Sequence, residues 1–270
     1  MLKISATVIA HNEAAGIGRA IASFSSLVDE IIVIDAGSTD GTQQIAAEQG
    51  ARMIVHPFAG FACQKNFASE QAQNDWILSL DADEELNADA QQAIRRWKAA
   101  GSNETSADGY RFARRAYYLG RWILHSGWYP DWKVRLYDRR RGRWQGAYVH
   151  ESVAVSGPVE TLPGEILHYT CDSVEEHRKR IEFYTDLAAR EMRDRGERAG
   201  LWRRLFAPPW VFLNTYLFRL GVLDGYQGFL IASMAARYVR RKHSKWESMT
   251  QEAIRQEKVK EQNSRVRTPV

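Results

Sequence analysis

The feature that most constrains this chain is a strand–helix alternation that begins at its first residues. Ile4 to Ala10 is an apolar run, after which Ala14, Ile17, Ile21 and Phe24 recur at helical spacing. Val28 to Ile34 is a second apolar run, a second helix stops near Gly50, and Arg52 to Val55 is a third strand. Strands separated by helices pair in parallel with right-handed crossovers, so the expected fold class is α/β with a mostly parallel sheet. A fourth strand, Trp76 to Leu80, runs into Asp81-Ala82-Asp83. Open sheets of this kind bind ligands beyond the C-terminal ends of their strands. Polar residues collect there: His11-Asn12-Glu13 after the first strand, Asp35 to Thr42 after the second, and the two aspartates after the fourth.

Two carboxylates spaced i, i+2 at a strand end lie on the same side of extended chain. That suits a hard divalent cation which also takes oxygens from a diphosphate, although Asp-x-Asp alone also occurs as a pair of solvated turn residues. The small residues of Ala36-Gly37-Ser38-Thr39-Asp40-Gly41-Thr42 let backbone approach a ligand, with a helix N-terminus aimed at it. Asp35 is placed to accept from a base or ribose, with Asn12 and Glu13 near the same ligand; Asn12 and Asp40 are also plausible helix caps. The first turn lacks Gly-x-Gly-x-x-Gly and the chain has no Gly-Lys-Ser/Thr, which disfavours nicotinamide and P-loop readings. Lys65, within Gln64-Lys65-Asn66 of a helical stretch from Phe58 to Gln73, suits a phosphate at the same edge or is a solvated surface lysine.

A helix capped by Asn87 ends near Gly101, and the polar stretch to Asp108 is the best internal boundary. Beyond Gly109, Tyr110–Tyr118 and Lys133–Tyr137 read as strands around an aromatic segment containing Trp128 and Trp132, which suits sugar stacking or a small core. Arg139-Arg140-Arg141 with Arg143 forms a basic turn that fits an acidic acceptor or a solvated loop. His150 and Glu151 are adjacent and point different ways in any regular structure, so one can serve the leaving group or metal and the other an acceptor. His168 ends an apolar stretch, as a late metal ligand or a buried hydrogen-bonded histidine. Ser173 to Arg195 is helical, and Trp210 to Tyr238 is rich in Leu, Phe, Tyr and Trp and is followed by Arg237, Arg240, Arg241, Lys242 and Lys245. Aromatic-aliphatic helices beside a basic cluster fit docking on an anionic membrane surface, or an ordinary helical subdomain with a solvated basic end.

Lysine plus arginine exceeds aspartate plus glutamate by 37 − 33 = 4, a mild excess that favours anionic partners. Two lone cysteines, Cys63 and Cys171, suggest neither a disulfide framework nor a zinc site and fit a reducing compartment. Polar residues at 11–13 come too early for a signal peptide, and without a run of 18 apolar residues no transmembrane helix is expected. A nucleic-acid-binding module using the basic and aromatic residues is the competing class; it leaves Asp81 and Asp83 unexplained, and no nucleic-acid partner is expected.

Together, His11-Asn12-Glu13, the run Val33 to Thr42, Gln64-Lys65-Asn66 and Leu80-Asp81-Ala82-Asp83 resemble glycosyltransferase family 2, inverting enzymes of the GT-A fold. Pro130-Asp131-Trp132 ahead of Arg135-Leu136-Tyr137, then Val149-His150-Glu151, Ile166 to Tyr169, and Gly221 to Gly225 with Gly228 are similar to its lipopolysaccharide inner-core β-1,4-glucosyltransferase branch. The resemblance implies a GT-A domain over residues 1–170, with a nucleotide-binding half (1–105) and an acceptor half (106–170). A helical region (171–245) and a polar tail (246–270) follow. It implies a UDP-sugar donor, with glucose the first candidate sugar, held by Ala10, Asn12, Glu13, Asp35, Gly37, Ser38, Lys65 and Asp81. Mg²⁺ or Mn²⁺ would sit on Asp83 and Asp81, with His168 as a further ligand. Trp128, Trp132, Arg135 and His150 would meet a lipid-linked or lipopolysaccharide-core acceptor at the cytoplasmic face of a bacterial inner membrane. Many family members carry Glu-Asp with the aspartate as base; here His150-Glu151 stands in that region, which implies Glu151 as the base.

Overall fold

The computed structural model describes residues 2–101, 107–146, 151–197 and 200–266. The chain divides into two units: the first runs to Asp172 except for His125–Gly127, which belong with the second, from Ser173 onward. In the first unit the elements are β1 (Ile4–Ala10), α1 (Ile17–Phe24), β2 (Glu30–Asp35), α2 (Thr42–Glu48), β3 (Arg52–Val55), α3 (Phe61–Glu70), β4 (Trp76–Asp81), β5 (Glu84–Leu86) and α4 (Ala88–Ala100). There follow β6 (Gly109–Tyr118), β7 (Arg121–Trp122), β8 (Asp131–Asp138), β9 (Gly142–Gln145), β10 (Ser152–Val155) and β11 (Val159–Cys171).

A nine-stranded sheet has the order β3-β2-β1-β4-β8-β6-β11-β5, with β7 on β6, while β9 and β10 form a separate hairpin. The α/β class is as expected. Pairing is parallel from β3 through β4, and β8 then enters antiparallel to both β4 and β6. Because β1 and β4 are central and covered on both faces, their sequences read as near-continuous apolar runs. Helices α1 and α4 cover one face, where Ile17, Ile21, Phe24, Ile94 and Trp97 pack on Ile4, Val8 and Leu78. On the other, Ala68 of α3 packs with Ile32, Ile77 and Tyr137. The Asn87 cap is real: its side chain accepts from Ala90 N at 2.9 Å.

Strand direction then fixes the site. β8 runs against β4 (Leu78 opposite Leu136) and against β6 (Arg114 opposite Asp131), and β11 runs with β6. The ends of β1, β2, β4, β6 and β11 and the start of β8 therefore share one edge.

The second unit contains α5 (Val174–Asp194), α6 (Leu201–Leu213), a π-helical turn Asn214–Phe218, a 3₁₀ turn Gly221–Asp224 and the long α7 (Gly225–Val266). Both α5 and α6 pack on α7. The cluster expected to face a membrane is largely turned onto α5: Arg241 lies 2.9 Å from Glu182, and Lys245 lies 3.1 Å from Glu182 and 2.9 Å from Asp186. Among the described residues no helix is long and apolar enough to cross a membrane.

Candidate active site

The loops after β1 and β2 are zipped together. Ala36 N donates to the Ala10 carbonyl at 2.9 Å, Asn12 N to Ser38 Oγ at 2.8 Å, and Glu13 N to Thr42 Oγ1 at 2.8 Å. Asn12 does not cap α1, which starts five residues later, at Ile17, behind Gly16. It adopts φ +57° instead, and its Oδ1 accepts from Thr39 N at 2.9 Å, so the neighbouring loop takes the group that a cap would have used. Asp35, expected to face a ligand, is fully buried beneath this loop. Its Oδ2 accepts from Gly37 N, Ser38 N and Gln43 Nε2 at 2.9, 2.8 and 2.7 Å, and Oδ1 accepts from Ser38 Oγ. Burial alone would raise its pKa, but these donors hold the carboxyl below its ordinary value. Asp35 thus shapes the loop, and the backbone at Gly37 (φ +88°) and Ser38 forms its outer surface.

The Asp81–Asp83 turn is pinned from behind. A Cβ on Gly16 would stand 2.7 Å from the Ala82 carbonyl oxygen, so the entry to α1 lies directly against this turn. Gly16→Ala should therefore strain the turn and destabilise the protein by about 1–3 kcal/mol, read by thermal unfolding. Unchanged stability would show that the turn accommodates the methyl.

Asp81 is more enclosed than expected. Its Oδ1 lies 2.7 Å from Lys65 Nζ and its Oδ2 2.9 Å from Arg135 Nη2. Burial would raise this carboxyl, but Lys65 and Arg135 outweigh it and hold it far below the carboxylate range. Arg135, expected at the acceptor, is only 3% exposed, and its guanidinium is also 2.7 Å from the buried Glu84. It braces Asp81 from inside the sheet rather than reaching outward. The series continues through Arg114, 3.0 Å from Glu84 and 2.6 Å from Asp131, to Lys133, 3.2 Å from Asp131. Asp83 faces the other way, with Oδ2 3.2 Å from His168 Nε2, and its carbonyl accepts from Tyr169 N at 3.0 Å.

Gln64-Lys65-Asn66 ties three pieces of chain together. Gln64 Nε2 donates to the His56 carbonyl at 3.1 Å. Asn66 donates to the Trp144 carbonyl and accepts from Trp144 N, both at 2.9 Å. Lys65 is 2% exposed rather than solvated; its Nζ lies 4.3 Å from the Trp144 ring centre, 2.7 Å from Asp81 and 3.3 Å from Glu151 Oε1. Glu151 immediately precedes β10, so the β9–β10 hairpin held by Asn66 delivers it to the strand-end aspartates. His150 lies outside the described residues. Trp132 is exposed at the start of β8 with Arg111 over its ring, and Trp128 is half-buried against Tyr118. In the basic turn Arg139 donates to the Ser69 and Ala72 carbonyls and Arg140 pairs with Asp75 and Asp138, while Arg140, Arg141 and Arg143 stay exposed.

Sequence reading missed Trp144, Glu84 and an aromatic group beside His168. Tyr169 packs with Tyr117 and Trp122, ring centres 5.5 Å away in each case, and Arg19 sits 3.9 Å over the Tyr169 ring. Burial and its hydrogen bond to Glu85 push the Tyr169 hydroxyl up to about 12. Only the position of Tyr169 next to His168 hinted at this. Among the described residues no three His, Cys, Asp or Glu side chains are grouped to cage a metal. The carboxylate of Asp83 and the imidazole of His168, 3.2 Å apart, could nevertheless each donate to a divalent ion that took its other ligands from a bound molecule.

Known proteins are similar to this chain. The family profile described as Glycosyl transferase family 2 matches residues 5–153. An uncharacterized glycosyltransferase of Rickettsia felis is 34% identical over 256 residues, covering 89% of this chain and 87% of the relative. The lipopolysaccharide core biosynthesis glycosyltransferase LpsC of Rhizobium meliloti is 33% identical over 245 residues, covering 88% and 89%. Among solved structures, S. aureus TarS residues 1–349 in complex with UDP is 17% identical, covering 93% of this chain and 92% of that one at a TM-score of 0.46.

Proposed function

Since the chain belongs to glycosyltransferase family 2, we propose that it transfers a hexose, glucose first among the candidates, from a UDP-sugar to a lipid-linked or lipopolysaccharide inner-core acceptor, with inversion. The observation that carries this reading is Lys65, whose ammonium contacts both Asp81 and Glu151 and so unites the strand-end aspartates with a carboxylate delivered from another hairpin. The name of the Rhizobium relative supports the acceptor class. The placement proposed is peripheral, at the cytoplasmic face of a bacterial inner membrane.

The chemistry follows from the residues. Backbone and side chains at Ala10, Asn12, Glu13, Gly37 and Ser38 hold the base and ribose, with Asp35 acting through the loop it folds. Glu151 accepts the acceptor hydroxyl's proton as that oxygen attacks the anomeric carbon. The bond from that carbon to the diphosphate breaks, and UDP leaves as an anion. Asp83 and His168 would hold Mg²⁺ or Mn²⁺, which when bound would supply positive charge to offset the leaving diphosphate. Asp81 serves by fixing Lys65 beside Glu151. Trp132, Trp128 and His150 take the acceptor side.

Calorimetric titration with UDP, GDP, ADP and CDP, with and without Mn²⁺, tests the donor site. Expected is binding of UDP that requires metal and is weakened about a hundred-fold in Asp83→Ala, the cost of losing a principal metal ligand. Failure of folded protein to bind any nucleotide would end this reading.

A further inference from the structure

The helical unit carries an apolar stripe on its outside. Along α6, Trp202, Leu205, Phe206 and Trp210 recur at helical spacing and all are exposed. In a helix packed only on its own core such a stripe faces inward. Trp202 is 75% exposed, and the surface continues through the α6–α7 elbow to Phe218 at 69% and Tyr226 at 67%. Isolated exposed apolar residues are ordinary, but a run of this density marks an interaction surface.

The elbow is firmly built. Asp224, 2% exposed, accepts from Ser126 Oγ at 2.7 Å and from His125 N at 3.1 Å. A Cβ on Gly228 would stand 1.8 Å from the Gly221 carbonyl oxygen, so the first turn of α7 is pressed against the 3₁₀ turn.

Charge indicates what covers this face. From Trp202 to Arg240 the sequence contains five arginines and one acid, Asp224, which is buried. Arg204 pairs with Glu247 and Arg237 lies 3.8 Å from Glu182, while Arg203, Arg219 and Arg240 are exposed. A surface of Trp, Phe and Tyr flanked by exposed arginines, with no exposed carboxylate between residues 202 and 240, complements an anionic lipid surface: rings enter the headgroup boundary and guanidinium groups meet phosphates. As no described helix is long and apolar enough to span a bilayer, the fit is to its interface.

We propose that the α6–α7 elbow docks in the interface of an anionic lipid leaflet, burying Trp202, Phe206, Trp210, Phe218 and Tyr226. The proposal rests on the peripheral placement proposed above and is separable from the transfer chemistry.

The test sediments the full chain with vesicles of phosphatidylglycerol and phosphatidylcholine, and with phosphatidylcholine alone. At low salt the anionic vesicles should bind about ten-fold more tightly, and added salt should reduce the difference. The triple variant Trp202→Ser, Phe206→Ser, Trp210→Ser should lose at least about ten-fold in vesicle affinity, with far-UV circular dichroism and nucleotide binding unchanged. Arg203→Glu with Arg240→Glu should weaken binding and flatten its salt dependence. Equal sedimentation of wild type and triple variant would overturn the proposal. So would a dimer abolished by the triple variant, without vesicle binding, which assigns the face to a second copy. Vesicle binding without nucleotide binding would count against the transfer reading and leave the docking surface standing.

Discussion

Glu151→Gln should lower kcat for sugar transfer by about 10²- to 10⁴-fold, the range a positioned general base contributes. Donor KM should stay within about three-fold of wild type, because the interaction lost belongs to the transition state. Glutamine is chosen for what it preserves. Its carbonyl can still accept from Lys65 Nζ, the contact that Glu151 makes at 3.3 Å, so the hairpin stays in place while the ability to take a proton is removed. Steady-state kinetics with calorimetric donor binding separates the two effects. A variant retaining a third or more of kcat would place the base elsewhere, and sequence adjacency makes His150 the next residue to test.

Arg135→Met should destabilise the protein by about 3–5 kcal/mol, the cost of leaving buried charge unpaired. Methionine fills similar volume, so the loss reports charge rather than a cavity. Among the described residues, Glu84, 1% exposed, keeps Arg114 and the Asp81 backbone N–H as partners, and Asp81 keeps Lys65 as its ion-pair partner. The pH dependence carries a second signature. In Glu84 burial raises the carboxyl, but Arg135 and Arg114 outweigh it, so it titrates below its ordinary value, as Asp81 does. Groups depressed in the folded state contribute fully above about pH 5 and lose that contribution as pH falls through their native values. In Arg135→Met the depression relaxes, so acid unfolding should begin at higher pH than in wild type. Urea unfolding followed from pH 7 to pH 4 measures both effects. A variant as stable as wild type at pH 7 would mean that water reaches Glu84 and replaces the guanidinium.

Much of the first unit was legible because strand and helix periods are local. The apolar runs at 4–10, 28–34 and 76–80 announced where the chain turns, and the residues after each turn met at one edge. What was not legible depended on partners distant in sequence. Lys65 sits in a polar helix, and only β4 and the β9–β10 hairpin bury it. The resemblance put Arg135 at the acceptor, but Glu84, 51 positions earlier, claims its guanidinium. Asn12 has the right chemistry for a helix cap, but Thr39 arrives from another loop to take it. The basic cluster of α7 looked solvated or lipid-facing, yet Glu182, 59 residues before Arg241, turns part of it inward.

The contacts from Glu151 through Lys65, Asp81, Arg135, Glu84, Arg114 and Asp131 to Lys133 alternate in sign, four anions with four cations. Such a row carries no net charge of its own. A divalent ion brought to this edge would add positive charge that the row does not, so donor and ion should behave as linked titrants. Raising the concentration of either should tighten apparent binding of the other by an equal factor.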